Sequence, residues 1–291
     1  PDRPSQLGID ADHPLAPGNI GLSGYPMSAL WELEEIFEGV PLDRISVSLQ
    51  WTTIAAIVGF AAYVAMAERR GLNPSRLRGS IYNDPIHAHF CTYELSSPLR
   101  LGIKLAVDII EHSVRQMPLW HPVVPGGYEM REWGISAAHE LAFTLAIVLE
   151  YVEAARRRGL NPDDFLPRMV FSMSVEMDLF EEVAKFRAAR RVWARFSKER
   201  LGAEDPRSHR LKISAKTSGS SLTAQQPINN VVRTTVEALA AILGGVQVIE
   251  PCGYDEAFTI PSEEAATVAL HLQHILHHEA RLTNTVDPLG G

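Results

Sequence analysis

Short β-rich segments alternate six times with long amphipathic stretches, and this rhythm limits the fold more than any other property of the chain. The segments are Ile45–Trp51, Gly79–Asn83, His121–Gly127, Arg168–Ser174, Leu211–Ser218 and Val246–Cys252. Each leads into a helical pattern of several turns. Strands that alternate with helices in this way form βαβ units and a parallel sheet. So many units in one chain imply a (β/α)8 barrel, in which chemistry sits at the carboxyl ends of the strands. The helical stretches carry their own stop signals. Leu101–Met117 ends at Pro118, Ser136–Arg158 at Gly159, Asp178–Leu201 at Gly202 and Pro227–Leu243 at Gly244. Pro261–Leu282 opens on Pro-Ser-Glu-Glu, a good helix start.

The 291 residues show no domain boundary, so residues 1–291 read as a single barrel domain. A first helix near Met27–Phe37 has no strand before it, and Asp2–Asn19 lacks periodicity. The chain is therefore expected to be a fragment whose first strand is missing. A strand-like piece, Thr285–Leu289, closes it. A net charge of −8 argues against nucleic-acid and anionic-membrane partners, which need clustered cations. The runs Arg156–Arg158 and Arg187–Arg195 read as solvated helix faces. The longest apolar run, Ile54–Ala67, is shorter than the ~20 residues that a bilayer requires. Two cysteines, Cys91 and Cys252, make no disulfide framework, and a cytoplasmic location is expected. His87, His89 and Cys91 alternate in what reads as a strand-end loop, and His271, His274 and His278 share a helix face. Solvated loop histidines and helix register account for both, so no metal site is expected.

Several strings resemble the substrate barrel of the coenzyme B12-dependent acyl-CoA mutases, the methylmalonyl-CoA mutase family. They include Asp2-Arg3-Pro4-Ser5-Gln6-Leu7-Gly8, Gly39-Val40-Pro41-Leu42-Asp43 and Phe186-Arg187-Ala188-Ala189-Arg190. Leu222-Thr223-Ala224-Gln225-Gln226-Pro227 and Thr285-Val286-Asp287-Pro288-Leu289-Gly290-Gly291 extend the match almost to both ends. The resemblance implies a barrel that threads an acyl-CoA along its axis. It also implies adenosylcobalamin capping the strand ends, carried by a cobalamin-binding domain or subunit outside this chain, and an oligomer. The cobalt-binding string Asp-x-His-x-x-Gly is absent from this sequence.

Residue by residue, the resemblance places Glu256 on the adenosyl ribose, beside Ala257 in Tyr254-Asp255-Glu256-Ala257. It places Tyr128 beside the acyl group, and Glu132 and Gly219 near the corrin. Ser48 and Asn83 line the substrate site. Arg168, Arg207 and Lys212 match cations that hold the CoA phosphates and tail. The departures fall in the same region. Glu129 stands where the family has a histidine that donates to the thioester. Thr92 replaces the arginine that holds the carboxylate of methylmalonyl-CoA. Lys216 and Tyr82 each replace a glutamine, and Glu250-Pro251-Cys252-Gly253 replaces His-Thr-Asn-Ser. An unpaired buried carboxylate is costly, so the expected substrate is not methylmalonyl-CoA. Glu129 and Lys216 are expected to pair across the site mouth, or Glu129 to act as a base. The alternatives are a catalytically silent subunit and an acyl-CoA enzyme using acid–base chemistry through Glu129 and Lys216.

Overall fold

A computed structural model describes residues 1–51, 53–92 and 97–290, with Thr53 given by its backbone alone. The described residues carry six strands in two three-stranded parallel sheets, the parallel α/β pattern that the rhythm of the sequence predicts. Each of the six β-rich segments overlaps one strand, the third by a single residue. The chain divides into two compact units.

The first unit comprises Pro1–Pro125, Ala146–Val170 and Leu201–Ser208. Its elements are α1 (Arg3–Leu7), α2 (Leu30–Ile36), β1 (Ser46–Leu49), α3 (Thr53–Arg69), β2 (Arg78–Ile81), α4 (Pro85–Cys91), α5 (Leu99–Gln116) and β3 (Trp120–His121). The strand order is β1-β2-β3. Alternation along β1 buries Val47 and Leu49 and leaves Ser46 and Ser48 exposed. The buried side joins Ile81, Trp51, Phe60, Tyr63 and Trp120 in one core. Tyr63 and Trp120 meet there with ring centroids 5.3 Å apart. The sequence predicts a strand through Gly127 in the third segment, but the strand spans only Trp120–His121, and Gly126 adds a single parallel bridge to Ser172. Pro122 and Pro125 lack the N–H that a ladder needs.

Two local expectations are corrected in this unit. The aperiodic opening contains α1, capped by Asp2, whose Oδ1 accepts from Ser5 N at 3.0 Å. The segment holding His87, His89 and Cys91 is a helix, not a loop. Asp84 caps it by accepting from His87 N at 3.0 Å, and Pro85 opens its first turn. Positions two apart on a helix face different ways, and His87 is buried whereas His89 is half-buried.

The second unit comprises Gly126–Leu145, Phe171–Arg200 and His209–Gly291, of which Gly291 lies outside the described residues. It holds α6 (Tyr128–Glu132), the first part of α7 (Ala137–Arg156), β4 (Phe171–Val175), α8 (Leu179–Glu199), β5 (Ile213–Thr217), α9 (Asn229–Gly244), β6 (Val248–Glu250) and α10 (Glu263–His274). The order is β4-β5-β6, with Ser174 opposite Lys216 and Lys216 opposite Glu250. Phe171, Met173, Val175, Ile213 and Ala215 are buried, and Phe171 meets Trp193 of α8 edge-on at 4.9 Å. Helix α8 packs chiefly on α9. Ser262 caps α10 by accepting from Ala265 N at 3.2 Å, as its start signal implied.

Thr285–Leu289 is not a strand. Arg187 Nη1 holds both carboxylate oxygens of Asp287, at 2.8 and 3.0 Å, and Leu289 N and Gly290 N fold back on the same residue. Local side-chain bonds of this kind compete with a ladder, and Pro288 has no N–H to offer one. His278 is exposed. Its ring meets that of His277 at 4.4 Å.

Candidate functional site

The site is built in the second unit, where α6, β5 and the segments following β5 and β6 carry its residues. Helix α6 is anchored at both ends. At its start Gly127 N donates to Ser172 O of β4 at 2.7 Å. A Cβ on Gly127 would lie 2.7 Å from Thr144 Oγ1 and 2.9 Å from Glu140 Cγ, so only glycine allows this approach. Near the other end, Arg131 donates to Ile135 O at 2.5 Å and lies 3.5 Å from Glu176, Glu181 and Glu182. Behind this helix runs a buried charge network. Lys185 Nζ lies 2.8 Å from Glu140 Oε2, 2.5 Å from Glu182 Oε2 and 2.6 Å from Ser174 O. Glu140 Oε1 accepts from Ser174 N at 2.7 Å. Burial pushes the Glu140 carboxyl above its ordinary range, against the pull of Lys185.

Tyr128, Glu132 and Glu256 converge on Gly219. A Cβ built there would lie 3.3 Å from Glu132 Oε2, 3.7 Å from Glu256 Cγ and 3.8 Å from Tyr128 Oη. Glu132 fixes the loop by accepting from Ser218 Oγ at 2.6 Å, Gly219 N at 3.1 Å and Ser220 N at 2.8 Å. Lys216 Nζ sits 5.0 Å from the Tyr128 ring centroid, a cation over an aromatic face. Burial, then the charges of Cys252, Glu132 and Glu256, push the Tyr128 phenol far up, so it remains an O–H donor. Burial pulls Lys216 down, but Glu250 first, then Cys252, Glu256 and Glu129, more than offset it. The ammonium therefore stays charged at neutral pH. The Cys252 thiol donates to Thr217 O at 3.1 Å, and burial pushes it up to about 11.

The cluster thus offers two donors, Tyr128 and Lys216, beside the carboxylates Glu129, Glu132 and Glu256. The ion pair that Lys216 makes is with Glu250, at 3.8 Å across the β5–β6 ladder. Glu129 is half-buried one residue beyond Tyr128 and adds only the weakest of the four charges acting on Lys216. Ala257 is exposed in the turn after Glu256. Lys212 is half-buried just before β5, where its carbonyl accepts from Phe171 N at 2.9 Å.

The remaining expected residues lie in the first unit, and several are committed to the fold. Both amide hydrogens of Asn83 go to backbone carbonyls, Ala106 O and Pro122 O, each at 3.1 Å. The Arg168 guanidinium donates to Ser113 O, Met117 O, Trp120 O and Asp164 O, and so ties the end of α5 to β3. Arg207 is exposed and chelates Asp205, with 2.6 Å between Nη2 and Oδ2. Ser48 Oγ lies 3.1 Å from Ser80 Oγ and accepts from Gln50 at 3.0 Å on the open side of β1. Tyr82 is buried, with its ring 5.8 Å from that of His87. Thr92 caps α4, and its hydroxyl donates to Ala88 O at 2.9 Å. Arg3 reaches the Thr92 carbonyl at 3.4 Å.

Other residues went unnoticed. Ser218, Ser220 and Ser221 form the loop, Glu140 and Lys185 brace α6, and Glu237 sits behind the loop. The available signal was a lone glutamate between apolar residues in Val236-Glu237-Ala238-Leu239. Among the described residues, no group of three or more His, Cys, Asp or Glu is placed to hold a metal ion, and no helix is long and apolar enough to cross a membrane.

The family model described as methylmalonyl-CoA mutase matches residues 1–291. This chain belongs to the methylmalonyl-CoA mutase family. It is 39% identical over 290 residues to the 2-hydroxyisobutanoyl-CoA mutase large subunit of Aquincola tertiaricarbonis, covering all of this chain and 51% of that one. It is also 39% identical to the methylmalonyl-CoA mutase of Escherichia coli and 37% identical to the methylmalonyl-CoA mutase large subunit of Propionibacterium freudenreichii. In both cases it is covered fully and spans 40% of the relative. The chain thus spans about half or less of the length of these relatives.

Proposed function

We propose that this chain is the acyl-CoA-binding part of an adenosylcobalamin-dependent acyl-CoA mutase, an isomerase that rearranges a carbon skeleton. In this reading its two sheets belong to a (β/α)8 barrel forming one domain over residues 1–291. The cobalamin-binding domain or subunit lies outside the chain, and the assembly is oligomeric. Two unbridged cysteines, Cys91 and Cys252, fit a reducing, cytoplasmic setting. The supporting observation is the convergence of Tyr128, Glu132 and Glu256 on Gly219, in a chain of this family.

The residues present suit the cofactor's adenosyl group. Gly219 leaves open the space that a side chain would fill, and the half-buried Glu256 carboxylate can accept from two adjacent hydroxyls. When bound, adenosylcobalamin would supply the radical chemistry. The protein's own residues bind and orient. Tyr128 and Lys216 donate toward the acyl thioester, replacing the donor that Glu129 cannot provide as a carboxylate. Ser48, Tyr82 and Thr92 line the substrate path. Arg207 and Lys212 remain the candidate cations for the CoA tail, whereas Arg168 is spent on backbone carbonyls.

Titration of the full-length protein tests the cofactor reading. Adenosylcobalamin should bind more tightly than hydroxocobalamin, and Glu256→Ala should remove that preference without unfolding the protein. Equal affinity for the two forms in the unmodified protein would defeat it.

The substrate is tested separately. Thr92 carries no charge and its hydroxyl is already engaged. An uncharged branched or hydroxylated acyl-CoA should therefore bind about tenfold or more tightly than methylmalonyl- or succinyl-CoA, a difference of ~1.4 kcal/mol. Calorimetry with matched thioesters measures this. Preference for the dicarboxylic thioesters would point to Arg3 or Lys216 as the cation for the free carboxylate.

A further inference from the structure

We propose that Glu237 is a positioning residue for this site: from α9 it holds the Ser218–Ser221 loop from behind, so that Gly219 and Ser220 present their amides to Glu132. The inference rests in part on the functional reading above, since that reading gives the loop its purpose.

The geometry is a continuous chain of polar groups. Ser221 Oγ lies 2.5 Å from Glu237 Oε1 and 2.9 Å from Ser218 O. Ser218 Oγ donates to Glu132 Oε1 at 2.6 Å and lies 2.8 Å from Ser220 Oγ. Two carboxyl groups therefore grip one four-residue loop from opposite sides. Glu132 takes its amides, and Glu237 takes the hydroxyl of its last serine. Glu237 is fully buried, and among the described residues its Oε2 has no hydrogen-bond partner.

A carboxyl in that position resists ionisation. The ionisable groups acting on it are Glu176 after β4 and Glu132 on α6, and the Cys252 thiol after β6 is coupled to it. Lys185 and Arg131 are engaged with Glu140, Glu182 and Glu176. Burial pushes the Glu237 carboxyl up to about 8, with Glu176 and Glu132 adding to the rise. At neutral pH the group is therefore uncharged and can share a hydrogen with Ser221. Ionisation would place a third negative charge behind a loop that already faces Glu132.

Hydrogen exchange of the Gly219 and Ser220 amides in the full-length protein, corrected for the intrinsic pH dependence of exchange, tests this directly. In the unmodified protein their protection should fall about tenfold between pH 7 and pH 9, because the neutral fraction drops tenfold per unit above the pKa. Glu237→Gln keeps a neutral hydrogen-bonding group and should hold protection constant over that range. Glu237→Leu, if folded, should give low protection at every pH. Constant protection in the unmodified protein, or an equal fall in Glu237→Gln, overturns the proposal. Acyl-CoA binding measured over the same pH series separates the two readings. If binding tracks protection, the loop serves the acyl-CoA site. If the unmodified protein binds no acyl-CoA at pH 7 while protection behaves as expected, the functional reading falls and the positioning role stands.

Discussion

Lys185→Met should lower the unfolding free energy by about 3–5 kcal/mol, the cost of leaving a buried charge uncompensated. Lys185 is 3% exposed at its side chain, and its two partners, Glu140 and Glu182, are wholly buried. It also donates to Ser174 O at the end of β4. Removing the ammonium strands two carboxylates and one carbonyl in a low-dielectric interior, where water cannot replace the lost partner. Arg131, 3.5 Å from Glu182, compensates only that residue. Urea unfolding with an unchanged m value measures the loss. The double change Lys185→Met with Glu140→Leu should recover part of it, because one of the orphaned charges leaves with its partner. A single-variant loss under about 1 kcal/mol, the range of an exposed pair, would show that the network is more solvated than its burial implies. Because Glu140 packs on Gly127 and bonds the backbone of Ser174, Lys185→Met should also loosen the start of α6.

The second large effect is a pH dependence of stability. In the unfolded chain Glu237 ionises near 4.5, whereas in the folded protein it ionises near 8. Between those values the folded state holds one proton more than the unfolded state. Stability must therefore fall as pH rises through this window. At 1.36 kcal/mol per unit, the full difference is about 4–5 kcal/mol, reached above pH 8. The carboxylates of Asp2, Asp108 and Asp163 are held low and act oppositely, but their contribution is complete above their unfolded value of 3.8. Glu237→Gln should remove most of the decline, leaving what Glu140 and Glu176, also raised by burial, contribute, and make the protein more stable than the unmodified form at pH 8.5. Chemical denaturation at pH 5.5, 7 and 8.5 checks the slope. A parallel decline in the variant would assign the titration to another group.

Much of the fold was legible in the sequence because its signals are local. Alternation of short β-rich segments with long periodic ones placed the strands, and Gly202, Gly244–Gly245 and the Pro-Ser-Glu-Glu string bounded helices that the structure shows within a few residues. The errors were local contests that the sequence could not adjudicate. His87, His89 and Cys91 alternate like loop or strand residues, but Asp84 and Pro85 start a helix there. Thr285–Leu289 has strand-like composition, yet Arg187, distant in sequence, captures Asp287 and bends the segment.

The candidate site divides in the same way. Resemblance along the chain pointed to Tyr128, Glu132, Gly219 and Glu256, and these four do come together. It also pointed to Asn83 and Arg168, whose donors are consumed by backbone carbonyls. No one-dimensional pattern reports where a side chain's hydrogen bonds go, because all of these partners but Asp164 lie 23 to 55 residues away. The expected link between Glu129 and Lys216 met a similar limit: strand register set Lys216 directly opposite Glu250. What the sequence alone determined was the parallel α/β pattern, the family and the residues that crowd Gly219. Only the tertiary structure decided which charges are buried, which partner each one meets and that burial raises the Glu237 carboxyl, because burial and register are properties of packed elements and not of neighbours in the chain.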